Sequence, residues 1–153
     1  MFEKYKKKKW QALLNYIVSE LSEVTRDNYC LTMPVILFID PSSACNLHCP
    51  FCPRGSNLTT RPSRLLEMNV VDNIMDKFGI YCMQAHLNEI GEPLLNSNIS
   101  KVVEKLSNNG VAAMISSNLN VKMDTVFVDN LLLSGLDVIN GSIDGASQDT
   151  YEK

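Results

Sequence analysis

The sequence predicts an α/β fold built from parallel βα units, and three observations carry that reading. Short apolar runs alternate with stretches whose apolar residues recur every three or four positions, in the order strand, helix, strand, helix, strand, helix, strand. The connections are long enough for right-handed crossovers between parallel strands. Polar and glycine-containing sequence collects just past the carboxyl end of each apolar run, which is where parallel α/β folds place ligands.

Ahead of the first strand, Trp10, Leu13, Leu14, Ile17, Leu21 and Val24 recur at helical spacing and predict an amphipathic helix over 3–25. Its apolar stripe is expected to pack on the core rather than on a partner. The first strand is expected over 34–40, where Val35-Ile36-Leu37-Phe38-Ile39 is apolar on both faces, as inside a parallel sheet, and Pro41 with two serines stops it. A polar loop then runs to near Glu67. Asn69 is placed to cap a helix with Val70, Val71, Ile74, Met75 and Phe78 on one face and Gly79 at its stop. Residues 83–88 alternate as a strand and reach the turn Gly91-Glu92-Pro93.

Asn98 is placed to cap the next helix, with Ile99, Val102, Val103 and Leu106 on one face, closed by Asn109-Gly110. The third strand is expected over 111–116, ending in Ser117-Asn118. Asp124 opens a helix through Val126, Phe127, Leu131 and Leu132, stopped by Ser134-Gly135. The fourth strand is expected over 136–143, ending at Asp144-Gly145, and 147–153 has the character of a helix start. Four βα units make half of an eight-fold barrel, whose usual length is about 250 residues, and a half barrel leaves two strand edges unpaired. The sequence therefore reads as the amino-terminal part of a longer enzyme, with a helix and linker over 1–33 and the βα core over 34–153.

Composition bounds the function. At 153 residues, 45% hydrophobic and 20% charged, the chain is one globular domain or a piece of a larger one. A net charge of −3 gives no general pull toward nucleic acid or an anionic membrane, and the run Lys6-Lys7-Lys8-Lys9 reads as a solvated helix start. No apolar span has the length of a membrane helix, and nothing marks a signal peptide. Free thiols then point to the reducing cytoplasm.

The chemistry concentrates in Cys45-Asn46-Leu47-His48-Cys49-Pro50-Phe51-Cys52, directly after the first strand. Thiolates this close repel one another unless a metal holds them. A structural zinc site needs four ligands, and only His48 is at hand, awkwardly adjacent to Cys49. A cubane iron–sulfur cluster usually takes four cysteines, and three leave one iron open to something that is not protein. The odd count and tight loop disfavour disulfides. The cluster is the favoured reading, with zinc kept as the alternative. Cys30 and Cys82 are expected to be small buried apolar residues, and His48 and His86 satisfied structural histidines.

Three patterns in order, Cys45-x-x-x-Cys49-x-Phe51-Cys52 after the first strand, Gly91-Glu92-Pro93 after the second and Ser142-Ile143-Asp144-Gly145 after the fourth, resemble the radical S-adenosylmethionine (radical SAM) superfamily. The similarity runs over about 35–153. Asp40-Pro41-Ser42, Cys52-Pro53-Arg54-Gly55 and Gly145-Ala146-Ser147 are most similar to members that carry a SPASM domain farther along. The resemblance implies a partial TIM-like barrel in which Cys45, Cys49 and Cys52 hold a 4Fe-4S cluster. It further implies that S-adenosylmethionine chelates the fourth iron through its amino and carboxylate groups. Reductive cleavage of that cofactor would then give a 5′-deoxyadenosyl radical that abstracts hydrogen from substrate.

By the same resemblance Phe51 lies against adenine, Gly91 and Glu92 bond the methionyl amino group, and Ser142 contacts the ribose or carboxylate with Asp144 following on the same face. Asp144 has a second reading as a helix cap. Glu89 and Ile90 stand where relatives often place glycines, and Asn118 resembles the polar end of the third strand in relatives. No residue is singled out as catalytic. The implied partners are a substrate of unidentified class, peptide or protein favoured, and a low-potential electron donor such as flavodoxin or ferredoxin, with neither nucleic acid nor membrane. The alternative is an inactive or electron-transfer iron–sulfur module without turnover.

Overall fold

The computed structural model describes residues 9–25 and 29–151. The elements run α1 (Lys9–Thr25), β1 (Ile36–Phe38), α2 (Met68–Phe78), β2 (Gln84–Leu87), a 3₁₀ turn (Pro93–Leu95), α3 (Ile99–Asn108), β3 (Ala112–Ser117), α4 (Thr125–Leu133), β4 (Val138–Gly141) and α5 (Gln148–Tyr151). The four strands form one parallel sheet in the order β1-β2-β3-β4, as the βα alternation predicts. β1, β2 and β4 are shorter than the apolar runs that announce them, yet pairing continues past their ends. Met83 N–H donates to Val35 O (2.8 Å), Ile39 N–H to His86 O (2.9 Å) and Ser142 N–H to Ser117 O (2.8 Å).

In a parallel sheet, residues paired in register share a face. Leu37, Ala85 and Ala113 form one row, and Leu87 and Ile115 lie in the next row on that face. This face meets α2, α3 and α4, where Val71, Met75, Ile99, Val102, Val103, Leu106 and Leu131 complete the core. Helix α3 contributes most because it packs between α2 and α4 and faces β3. On the opposite face Phe38, His86, Met114 and Val138 line up, followed by Ser116 and Asn140. Phe38 is 59% exposed there, so the second face is largely uncovered.

The helix ends follow the predicted chemistry in part. Asp124 caps α4 by accepting from Phe127 N–H at 2.7 Å. For α2 the N-cap is Glu67, and Asn69 lies inside the helix. Asn98 occupies the N-cap of α3 without a side-chain cap bond; Asn96 instead accepts from Asn98 N–H (2.9 Å). Buried Asn96 also donates to Pro41 O (2.8 Å) and Leu66 O (3.2 Å), tying the start of α3 to both ends of the cysteine loop.

Helix α1 corrects one expectation. Its stripe does not enter the core: Trp10 is 68% exposed and Val24 80%, with Leu13, Leu14, Ile17 and Leu21 also exposed. The sheet face that needs cover already has α2, α3 and α4, and α1 is tied to the segments entering β1 and β2. It is fastened by Ala12 and by buried Asn15, which donates to Met33 O (2.9 Å) and Tyr81 O (3.3 Å) and accepts from Met33 N–H (2.9 Å). The predicted turns before Lys9, with most of the basic run, lie outside the described residues. Among the described residues no helix is long and apolar enough to cross a membrane.

Cys82 is buried as expected, whereas Cys30 is exposed, because it sits in the linker bonded to Thr32 rather than against the sheet. Burial pushes the Cys82 thiol up to about 11 from the ordinary value of 9.0. The unfolded chain ionises at the lower value, so stability is fully present below about pH 9 and declines as pH rises toward about 11. The expected loss is at most about 2–3 kcal/mol, read as a fall in the urea midpoint across that window. The Cys82→Ser variant, which has no thiol to ionise, lacks this increment.

Candidate functional site

The loop between β1 and α2 is closed at its base by main-chain pairing. Ser42 and Leu65 form an antiparallel bridge, Leu66 N–H donates to Pro41 O (2.9 Å), and Ser43 N–H donates to Arg64 O (2.9 Å). Ser43 Oγ accepts in return from Arg64 N–H (2.9 Å). Within the loop, Cys52 N–H donates to Cys49 O (3.2 Å), and Ser56 caps Cys52 O with both its N–H (2.9 Å) and its hydroxyl (2.7 Å). The chain then doubles back on Cys49: a Cβ on Gly55 would lie 2.5 Å from Cys49 N and 2.6 Å from Cys49 O, so glycine is required. Arg54 spans the far side, donating to Arg61 O (2.9 Å) and to Ser63.

The turn after β2 lies across the base of this loop. Glu92 N–H donates to Ala44 O (2.8 Å), Ile90 N–H to the Asp40 carboxylate (2.9 Å), and Gly91 presses directly on the Ser42 carbonyl. The Glu92 side chain is 2% exposed and turned inward. Its Oε1 accepts from Ser117 Oγ (2.7 Å) and Leu94 N–H (3.0 Å), and its Oε2 accepts from Asn118 N–H (2.9 Å). Asn118 in turn donates its Nδ2 to Asn46 Oδ1 (3.0 Å) and to Cys45 Sγ (3.8 Å), and Asn46 donates to Asn120 O (2.6 Å). One continuous network therefore joins the ends of β2 and β3 to the first cysteine.

All three loop cysteines are free and half-buried. Beside them opens a cavity of about 550 Å³ lined by Leu47, His48, Cys49, Pro50, Phe51, Asp144 and Thr150. The fold thus brings Asp144, far away in sequence, to one space with Cys49 and Phe51. Phe51 is 99% exposed and presents its ring to solvent. Ser142 sits past the end of β4, with its hydroxyl 3.2 Å from that of Ser116. Gly91 and Glu92 lie at the loop base. Neither histidine is the satisfied structural residue expected: His48 is exposed, and His86 stacks near Phe38 (ring centroids 5.0 Å apart) with a buried Nε2 that, like buried Asn88 Oδ1, has no hydrogen-bond partner among the described residues.

The chemistry of the donor set bears on the choice of metal. Among the described residues no three His, Cys, Asp or Glu side chains converge on one ion position. A single structural zinc takes four nitrogen or sulfur ligands in a closed tetrahedron, and the loop offers three thiols with His48 awkwardly adjacent to Cys49. A cubane cluster places each thiolate on its own iron, so three soft sulfur ligands without carboxylates suit it. The residues present fit that group.

The family model described as the radical SAM superfamily matches residues 39–153. GTP 3′,8-cyclase of Desulforamulus reducens is 29% identical over 117 residues, covering 75% of this chain and 36% of that protein. The chain therefore spans about a third of the length of this curated relative. Among solved structures, BtrN in complex with AdoMet and 2-DOIA superposes with a TM-score of 0.62 at 18% identity, over 80% of this chain and 52% of that one. Streptococcus suis SuiB bound to S-adenosylmethionine gives 0.66 at 19% identity, over 91% of this chain and 32% of that one. At these identities the structural matches establish the fold, an open parallel α/β half of a TIM-like barrel. Superfamily members use a 4Fe-4S cluster with S-adenosylmethionine. With the cysteine loop, the strand order and the family match all covering the same stretch of sequence, the chain belongs to the radical SAM superfamily.

Proposed function

We propose that this chain is the cluster- and cofactor-binding core of a radical SAM enzyme, with Cys45, Cys49 and Cys52 holding a 4Fe-4S cluster and S-adenosylmethionine in the adjoining cavity. The observation that carries it is the trio of free, half-buried thiols on a loop pinned from below, opening on a cavity of about 550 Å³ shared with Phe51 and Asp144. That volume lies within the usual range for small-molecule sites. When bound, the pair supplies one-electron cleavage of a sulfonium carbon–sulfur bond and a carbon radical that takes hydrogen from substrate.

The chain's own residues bind and orient. The exposed Phe51 ring offers a stacking face for a purine. Asp144, on the cavity wall, accepts hydrogen bonds from hydroxyl or ammonium groups, and Ser142 adds a donor and acceptor at the end of β4. Gly91 gives the backbone its close approach to the cysteine loop. The Glu92 carboxylate, committed to Ser117, Leu94 and Asn118, contributes by fixing that approach.

The fuller reading includes a peptide or protein substrate, a low-potential donor such as flavodoxin or ferredoxin, and residence in a reducing cytoplasm. The SPASM-like wording around Asp40, Arg54 and Ala146 and the five free cysteines support it. The test is anaerobic reconstitution with iron and sulfide, followed by dithionite and S-adenosylmethionine. 5′-Deoxyadenosine is expected from the native sequence and not from Cys49→Ala. A reducible cluster that forms none would instead establish the electron-transfer module.

A further inference from the structure

We propose that Asn118 is a positioning residue that sets the reduction potential of the cluster through an amide hydrogen bond to the Cys45 sulfur. This rests on the cluster reading above. The side chain is held on every polar atom. Its Nδ2 donates to Asn46 Oδ1 (3.0 Å) and reaches Cys45 Sγ (3.8 Å), and its Oδ1 accepts from Asn120 N–H (2.8 Å). Its own N–H is fixed by Glu92 Oε2 (2.9 Å), a buried carboxylate that Ser117 and Leu94 hold in turn. The amide is therefore locked in place before any cofactor arrives.

Among the described residues, Cys45 is the one member of the trio whose sulfur receives a side-chain hydrogen bond. An N–H pointed at a ligating sulfur withdraws electron density and favours the more negatively charged, reduced cluster, so it raises the potential. The Cys45 iron is then electronically unlike the other two. The remote partner, 73 residues away in sequence, makes the cluster's potential depend on how firmly the end of β3 is seated on the loop.

The experiment is a redox titration of the reconstituted protein, followed by the electron paramagnetic resonance signal of the reduced cluster, with iron counted in each sample. Asn118→Leu removes the donor without adding charge. Its midpoint is expected to become more negative by an amount equal to about a tenfold change in the reduced-to-oxidised ratio, about 59 mV for one electron. Ser43→Ala disturbs the base of the same loop, where its hydroxyl accepts from Arg64 N–H (2.9 Å), but leaves the Asn118 amide and its partners in place, and its midpoint is expected to match the native sequence. An unchanged midpoint in iron-replete Asn118→Leu overturns the proposal, as does an equal negative shift in both variants, which would assign the effect to loop packing. Should Asn118→Leu hold less iron, Asn118→Ala removes the same donor without added bulk and is judged by the same criterion. A native protein that binds no iron under these conditions overturns the cluster reading itself, and the inference with it.

Discussion

Replacing any one of Cys45, Cys49 or Cys52 with alanine is expected to take the reconstituted protein from about four irons per chain to near none, with the far-ultraviolet spectrum unchanged. The loss is all-or-none because no other thiol can stand in. Cys82 is buried at the opposite, amino-terminal end of the sheet, with its S–H directed to Gln84 O (3.1 Å) and Val35 O (3.4 Å), and Cys30 lies in the linker before β1. Nor can the loop reshape itself, since Gly55 is pressed on the Cys49 backbone and Ser56 is bonded to Cys52 O. The fold survives because none of the three contributes to the core. Cys30→Ser and Cys82→Ser are the matched controls and should keep their iron. Retention of full iron by any single loop variant would remove the ligand assignment for that position.

What could be read from the sequence followed the range of the interaction. The cysteine spacing, the Asp124 cap and the apolar periods of α2 and α3 are local signals, and each appears in the structure where residue chemistry puts it. The stripe of α1 is equally regular, but periodicity states only that a face is apolar. Nothing in it says that α2, α3 and α4 already fill the one covered face of the sheet. Asn15 lies off that stripe, on the other side of the helix, and it is the residue that anchors α1. The resemblance assigns Glu92 to the methionyl amino group, and the bonds its carboxylate makes within the chain are a separate matter. Its donors Ser117 and Asn118 lie 25 and 26 residues on, and no pattern within one element announces a bond of that span. The Asn118–Cys45 contact is hidden for the same reason, and only the position of Asn118 at a strand's carboxyl end hinted at it.

Gly91→Ala tests the long-range part of that network and is expected to cost about 3–5 kcal/mol, a large share of an ordinary domain's stability. An added Cβ overlaps the Ser42 carbonyl oxygen outright and comes within 2.7 Å of Ala44 O, and both obstacles are backbone. Neither can yield cheaply. Ser42 is buried and bridged to Leu65, Ala44 O is already bonded to Glu92 N–H, and Ile90 is tied to Asp40. Relief therefore requires the turn to lift from the loop, which breaks the Glu92–Ala44 bond and drags the buried carboxylate from Ser117 and Asn118. Each buried polar group left unpaired costs about 1–3 kcal/mol. Gly141→Ala is the control, because the nearest neighbours of its Cβ are the Leu119 and Ile143 side chains (3.0 and 3.7 Å) rather than backbone, and those can turn aside for less than about 1 kcal/mol. Urea denaturation followed by circular dichroism reads the difference, and iron content reads its consequence: Gly91→Ala should bind less iron although all three cysteines remain. A native midpoint for Gly91→Ala would mean that the turn does not bear on the loop as its packing requires, and the coupling of β2 and β3 to the cysteines would have to be abandoned.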